Sequence, residues 1–220
     1  MIVRDLITDG IIPLKTSDTG RAALSWMEDF RLLHLPIVND SQFLGLISEY
    51  DIYSFNHFDE AIGSYNLSLQ SPYVYEHQHI YEALKLVKLH RLSLIPVIDE
   101  KEIYLGSITL QSLLEHFADT LSVDEPGGII VLGINIRDYV LSEIARIVET
   151  NDAKILSLIV KSDKDTTRIE VTLKLNKRDI AGILQTFIRF NYDVLASFGE
   201  SDDFDDLKER YESLMTYLKV

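Results

Sequence analysis

The sequence predicts an α+β protein, because helical and strand patterns alternate along the chain. Three observations lead to this prediction. A unit of about 60 residues occurs twice in the first half, a third segment has a different order of elements, and the end of the chain has the pattern of an acidic helix. We expect the division to fall at residues 1–60, 61–123, 128–199 and 200–220.

An internal repeat defines the first two units. Displacing the chain by 60 residues aligns identical residues, namely Ala23, Leu24, Arg31, Leu32 and Pro36 with Ala83, Leu84, Arg91, Leu92 and Pro96. The segment LPIVND at residues 35–40 then faces IPVIDE at residues 95–100, and LGLIS faces LGSIT. Repetition at a fixed spacing indicates one supersecondary element used twice.

Each repeat is predicted to form a β-α-β-β-α unit. Apolar residues recur at helical spacing over residues 80–87, and a similar pattern precedes the first β-branched run. Pro36 and Pro96 are predicted to stand at the head of a strand, where a missing N–H is tolerated. A second short apolar run containing Gly45 or Gly106 follows each of them, and then a further helix begins.

The third segment begins after the linker DEPGG at residues 124–128. Its patterns run in the order strand, helix, strand, strand, helix, strand. Over residues 168–175 the apolar residues are Ile169, Val171, Leu173 and Leu175, each preceded by a polar residue. This order predicts a ferredoxin-like βαββαβ sheet with one buried and one wet face.

The tail at residues 200–220 is predicted to be an acidic helix with an apolar stripe. Its apolar residues at helical spacing are Leu207, Tyr211, Leu214 and Leu218. Such a stripe needs a partner surface, in this chain or in another copy. It therefore contributes to the expectation of a homodimer.

Composition excludes several classes of protein. The chain has no cysteine, so disulfides, thiolate metal sites and a cysteine nucleophile are impossible. Its net charge of −14 opposes binding to nucleic acid or to an anionic membrane. No apolar run is long enough to span a bilayer, so we expect a soluble, cytoplasmic protein.

The motif Ser48-x-x-Asp51 has two interpretations. In the structural one, Ser48 caps a helix and Asp51 adds favourable charge to its first turn. In the functional one, the helix start offers N–H groups to a phosphate, while the carboxylate accepts the hydroxyls of a ribose.

These residues resemble a known family. The repeated unit, with HLPIVND then GLISEYD and LIPVIDE then GSITLQS, resembles a tandem pair of CBS domains over roughly residues 1–122. The third segment is similar to ACT domains in element order and size. The combination resembles bacterial CBS-ACT regulators of the acetoin-utilisation type.

The resemblance implies a site for an adenosine nucleotide. Gly45, Ser48 and Asp51 match the family motif Gly-x-x-Thr/Ser-x-x-Asp in full, whereas the second copy has Ser112 in place of the carboxylate. We therefore expect one competent cleft, with the second weak or empty. The resemblance also places the adenine against Ile12, Pro13, Leu35, Pro36 and Ile37, and His34 near the phosphates.

Neither catalysis nor a metal site is expected. No nucleophile motif or P-loop occurs, and His77 and His79 have no third ligand near them in the sequence. In the ACT-like segment the loop NIRDYVLSE lacks the glycine that amino-acid-binding members commonly have, so dimerisation is an equal alternative there.

The function expected is therefore that of a non-catalytic sensor. It would bind AMP, ADP or ATP as a regulatory ligand, require no cofactor, and pass the change to a regulated protein that the sequence does not identify. The alternative is a ligand-free dimeric scaffold in which both clefts are vestigial.

Overall fold

The structure is a computed structural model, and it describes residues 1–54, 57–64, 71–162 and 167–200. The chain divides into two compact units, one at residues 1–116 and the other from residue 117 onward. The domain boundaries expected from the sequence stay predictions. The predicted C-terminal helix at 200–220 lies outside the described residues except for Glu200.

The first unit contains two copies of one arrangement. The first copy has α1 (Gly20–Phe30), β1 (His34–Asn39), β2 (Gln42–Ser48) and α2 (Glu49–Tyr53). The second copy has β3 (Val74–Tyr75), α3 (Ile80–His90), β4 (Leu94–Ile98), β5 (Tyr104–Thr109) and α4 (Leu110–Thr120). Leu14 makes a single parallel bridge to Ile37, in the place that β3 takes beside β4.

The two antiparallel hairpins share a register, which supports the internal repeat. The ladder β1–β2 shifts register after Ile37, and β4–β5 shifts after Val97, the residue 60 positions later. Gly45 and Gly106 lie opposite these residues with φ of 156° and 152°. The register shift forces this φ on the backbone, and a residue with a side chain would be strained there. This explains why the motif begins with glycine.

The prediction that proline heads a strand is wrong. β1 begins at His34 and β4 at Leu94, each two residues before its proline. On the side of β1 that meets Leu14, the Leu14 N–H donates to the Pro36 carbonyl at 2.8 Å, and the Val38 N–H donates to the Leu14 carbonyl at 2.7 Å. The parallel bridge requires no N–H from Pro36, so a proline is tolerated inside this strand.

The second unit has the predicted ferredoxin-like fold. Its elements are β6 (Ile129–Asn135), α5 (Leu141–Glu149), β7 (Ile155–Ser162), β8 (Arg168–Leu175), α6 (Ala181–Arg189) and β9 (Asp193–Phe198). The sheet order is β7-β8-β6-β9, with every pair antiparallel. The buried residues of α5 and α6 share one core with Ile169, Val171 and Leu173 of β8. The alternation in β8 therefore predicted its buried face correctly.

Candidate functional site

The motif Ser48-x-x-Asp51 forms a reciprocal capping box at the start of α2. The Ser48 hydroxyl accepts the Asp51 N–H at 3.1 Å, and Asp51 Oδ2 accepts the Ser48 N–H at 2.8 Å. The same Oδ2 also accepts the Ser48 hydroxyl at 2.6 Å. Asp51 therefore holds the helix end together with Ser48, while its Oδ1 makes no hydrogen bond to a described residue.

A cavity of about 230 Å³ lies beside this helix start. Four of its lining residues come from the first copy and three from the second, namely His34, Leu46, Ser48 and Asp51 with Pro72, His90 and Leu92. An adjoining cavity of about 480 Å³ shares Pro72 and His90 and is also lined by Ser71, Tyr73 and Leu86. The structure thus brings three sequence-predicted residues, His34, Ser48 and Asp51, around one space between the repeats.

Pro72 is a lining residue that the sequence did not predict. By the 60-residue repeat it corresponds to Ile12, which the resemblance placed next to the ligand. The Ser71 hydroxyl donates to the Leu44 carbonyl at 3.4 Å, and Tyr73 packs edge-on against Phe43. The segment before β3 therefore runs along β2 of the other copy, and brings Pro72 to the cavity of Asp51.

In the same way, the N-terminal segment of the first copy packs against the second copy. The Thr8 N–H donates to the Ser107 carbonyl at 2.8 Å, and the Thr8 hydroxyl accepts the Thr109 N–H at 3.4 Å. A side chain at Gly106 would collide with the side chain of Ile7. The N-terminal segment thus packs directly on the Gly-x-x-Thr step of the second copy. There the Thr109 hydroxyl accepts the Ser112 N–H at 3.0 Å, and Ser112 stands where the first copy has the carboxylate of Asp51.

The other sequence-predicted contacts lie away from the lining of the Asp51 cavity. Ile12 is 53% exposed and Pro13 partly exposed, in the segment before Leu14. Leu35, Pro36 and Ile37 are buried in β1. These three residues support the strand that begins with His34.

His34 joins the two copies at the cavity wall. Its Nδ1 accepts the Ser93 N–H at 3.3 Å and lies 3.1 Å from the Ser93 hydroxyl. Because Nδ1 is an acceptor, the neutral ring carries its proton on Nε2. Burial lowers the pKa of the His34 imidazole, and the Asp51 carboxylate offsets part of this effect. The ring is therefore a neutral hydrogen-bond donor at physiological pH.

We predict that His34 makes folding more favourable above about pH 6.5. A histidine whose pKa is lowered in the folded state binds fewer protons there, so its contribution to stability is lost as pH falls through the folded pKa. His34→Gln keeps an acceptor for Ser93 and should flatten the rise of Tm between about pH 5 and 7.

The measurement is Tm against pH for wild type and variant by circular dichroism. His77→Gln makes the same exchange at an exposed histidine of the same unit and controls for the substitution itself. Parallel profiles for His34→Gln and wild type would contradict the prediction.

The two histidines that precede α3, His77 and His79, have contacts within their own segment. Among the described residues, no group of three or more His, Asp or Glu side chains could hold a metal ion. His77 stacks on Tyr75 and His79 caps α3 through the Tyr81 N–H. In the described ranges no helix combines the length and the hydropathy that a bilayer crossing requires.

This geometry defines a class: two tandem βαββα units that enclose a cavity, followed in the chain by a ferredoxin-like unit. The family model of the CBS domain matches residues 3–57 and 66–119. The chain therefore belongs to the CBS-domain family and carries two CBS domains in tandem. Proteins with a CBS-domain pair are in general regulatory.

Comparison with solved structures supports the fold. A CBS domain pair/ACT domain protein from Thermotoga maritima has a TM-score of 0.50 and 24% identity, over 55% of this chain and 99% of that chain. CBSX2 in complex with AMP has a TM-score of 0.46 and 17% identity, over 54% of this chain and 96% of that one. The first likeness shows the fold alone, and AMP is the ligand bound to CBSX2.

A curated relative is much longer than the match. The homoserine O-acetyltransferase of Methanosarcina acetivorans is 25% identical over 123 residues, which make up 53% of this chain and 22% of that protein. The chain thus spans about a fifth of the relative it matches. The activity of that enzyme is not carried over to this chain.

Proposed function

We propose that this protein is a non-catalytic regulator that binds an adenine nucleotide, AMP, ADP or ATP, in the cavity beside Asp51. The observation that carries the proposal is that both CBS domains line this one cavity around a carboxylate. The family assignment supports the regulatory role, since proteins with a CBS-domain pair are in general regulatory.

The side chains offer a chemical basis for recognising a nucleoside. Oδ1 of Asp51 is available to accept ribose hydroxyls, because Oδ2 already holds the helix cap. The apolar wall formed by Leu46, Pro72 and Leu92 suits a base, and His34 adds a neutral donor. Apolar walls with a few placed polar groups are typical of small-molecule sites.

A ligand in this cavity would act by shifting a population of conformations. It would contact residues of both CBS domains at once, so it would favour the relative orientation in which it binds more tightly. A protein partner that distinguishes the two orientations would then respond to the nucleotide. We propose that the working form is a homodimer, which sedimentation of the full chain tests directly.

Thermal melting of the full chain tests ligand binding. A ligand at one hundred times its Kd adds about 2.7 kcal/mol to the free energy of unfolding. For a chain of this length the Tm should rise by roughly 5 to 10 °C. AMP, ADP and ATP are the expected ligands, with S-adenosylmethionine and a cyclic dinucleotide as comparisons. Steady turnover of the bound nucleotide would contradict the non-catalytic role.

The second candidate is a ligand-free scaffold. One observation favours it: the capping box is complete without a ligand, so Ser48 and Asp51 have a structural role of their own. A Tm that no nucleotide changes would support the scaffold and overturn the sensor.

A further inference from the structure

We infer that the Asp51 cavity selects adenosine ligands without a polyphosphate chain, so that adenosine and AMP bind more tightly than ATP. This inference rests on the proposed function and narrows it. The site has groups that suit a base and a ribose. Around the cavity, the described residues provide no receptor for a chain of phosphates.

Three of the four N–H groups at the start of α2, those of Ser48, Glu49 and Asp51, are already used within the protein. The Ser48 N–H donates to Asp51 Oδ2 at 2.8 Å, the Glu49 N–H donates to the Leu33 carbonyl at 2.9 Å, and the Asp51 N–H donates to the Ser48 hydroxyl at 3.1 Å. α2 itself has five residues. A phosphate could recruit these donors only by breaking the capping box or the bond to Leu33.

Charge in and around the cavity also disfavours a polyphosphate. Neither the Asp51 cavity nor the adjoining one is lined by a lysine or an arginine among the described residues. The two parts of this unit outside those residues, 55–56 and 65–70, contain no charged residue in the sequence. No cation is therefore supplied from the segments that flank α2 and precede Ser71.

The carboxylates near the cavity also disfavour the binding of a polyphosphate. Asp51 lines the cavity, and Glu49 lies in the same first turn of α2. Residues 1–116 hold sixteen acidic and eight basic side chains. Of these cations, Arg4 and Arg21 are paired with Glu76 and Asp59. A triphosphate would enter a site of like charge, where repulsion opposes binding.

His34 does not replace the missing cation. Its Nδ1 is bound to Ser93, and burial keeps the ring in its neutral form. A neutral imidazole offers one hydrogen bond and no net charge. Charge-assisted donors such as guanidinium groups bind phosphate more strongly than a neutral donor does.

The adjoining cavity offers what a base requires. It is lined by Pro72, Tyr73 and Leu86, so aromatic and aliphatic surface continues from the Asp51 cavity. Because the two cavities share Pro72 and His90, a ligand could place its ribose at Asp51 and its base against Tyr73. The ligand class that fits is an adenine nucleoside or its monophosphate.

Calorimetric titration of the full chain with adenosine, AMP and ATP tests the inference, at one pH and ionic strength. We expect adenosine to bind at least as tightly as AMP, because the single phosphate of AMP meets the same carboxylates, and ATP to bind at least about tenfold more weakly than adenosine. ATP that binds as tightly as adenosine would overturn the inference and leave the proposed function standing. Failure of all three to bind would overturn the proposed function, and the inference with it.

A gain-of-charge variant makes the test sharper. His90→Arg places a guanidinium at a position that lines both cavities, and should raise the affinity for ATP relative to adenosine by about tenfold or more. Leu89→Arg is the matched control, because it adds the same charge on the same helix at a residue that is 68% exposed. An equal change in the two variants would show that a missing cation does not set the selectivity, and would overturn the inference.

Discussion

Replacing Asp51 with Asn is expected to weaken AMP binding about 30-fold to several-hundred-fold, or ~2–4 kcal/mol. Asp51 is the carboxylate that lines the cavity, and its Oδ1 is available to a ribose. An amide in its place has one oxygen and no charge, so it cannot accept two hydroxyls with the same strength. Calorimetric titration of the variant with AMP measures the loss.

The same substitution should have a small effect on stability. The Asn oxygen can still accept the Ser48 N–H, so the cap is retained in part, and the loss of charge in the first turn costs about 0.3–1 kcal/mol. Asn is therefore a better test than Ala, which would remove the capping box as well as the ligand contact. Urea unfolding of the free variant checks this separation.

Asp59→Asn is the matched control for Asp51→Asn. It removes one carboxylate from the same unit, at an exposed residue whose partner is Arg21. If Asp51→Asn bound AMP as tightly as this control, Asp51 would not be the ribose acceptor. A loss common to both variants would point to net charge rather than to the cavity.

Replacing Phe187 with Ala is expected to destabilise the ferredoxin-like unit by about 3–5 kcal/mol. The Phe187 side chain is fully buried between α6 and the sheet, and its ring packs edge-on against Tyr192 with centroids 5.4 Å apart. Removing it leaves a cavity that the rigid sheet cannot fill. Urea unfolding followed by far-ultraviolet circular dichroism should show a lower midpoint.

Phe190→Ala gives the comparison for Phe187→Ala. Phe190 is 37% exposed and its ring lies under Arg146 at 5.1 Å, so its loss should cost far less. Trp26, the one tryptophan of the chain, packs against the core of the first unit and reports on that unit by fluorescence. Equal effects of the two substitutions on the unfolding midpoint would contradict the packing argument.

Most of the fold could be predicted from the sequence because its signals are local. The alternation of β8 predicted which residues are buried, and the repeat predicted one supersecondary element used twice. The CBS pair and the ferredoxin-like order are confirmed. The position of Pro36 inside β1 was not predicted, since it depends on how Leu14 pairs with that strand.

The candidate site could be predicted only in part. Ser48 and Asp51 belong to one turn, so sequence spacing alone places them together. Pro72, His90 and Leu92 reach the same cavity from the other CBS domain. The repeat shows that Pro72 corresponds to Ile12, but a repeat does not say which copy of a segment faces which cavity.

The sequence by itself determined the two CBS domains, the order of the ferredoxin-like strands and the asymmetry between Asp51 and Ser112, because each depends on residue type and spacing along the chain. Tertiary structure decided the rest. The segment before Leu14 packs on the second copy, the segment before β3 packs on the first, and three N–H groups at the start of α2 are used inside the protein. Both features arise from contacts between residues far apart in the chain, which local periodicity cannot encode.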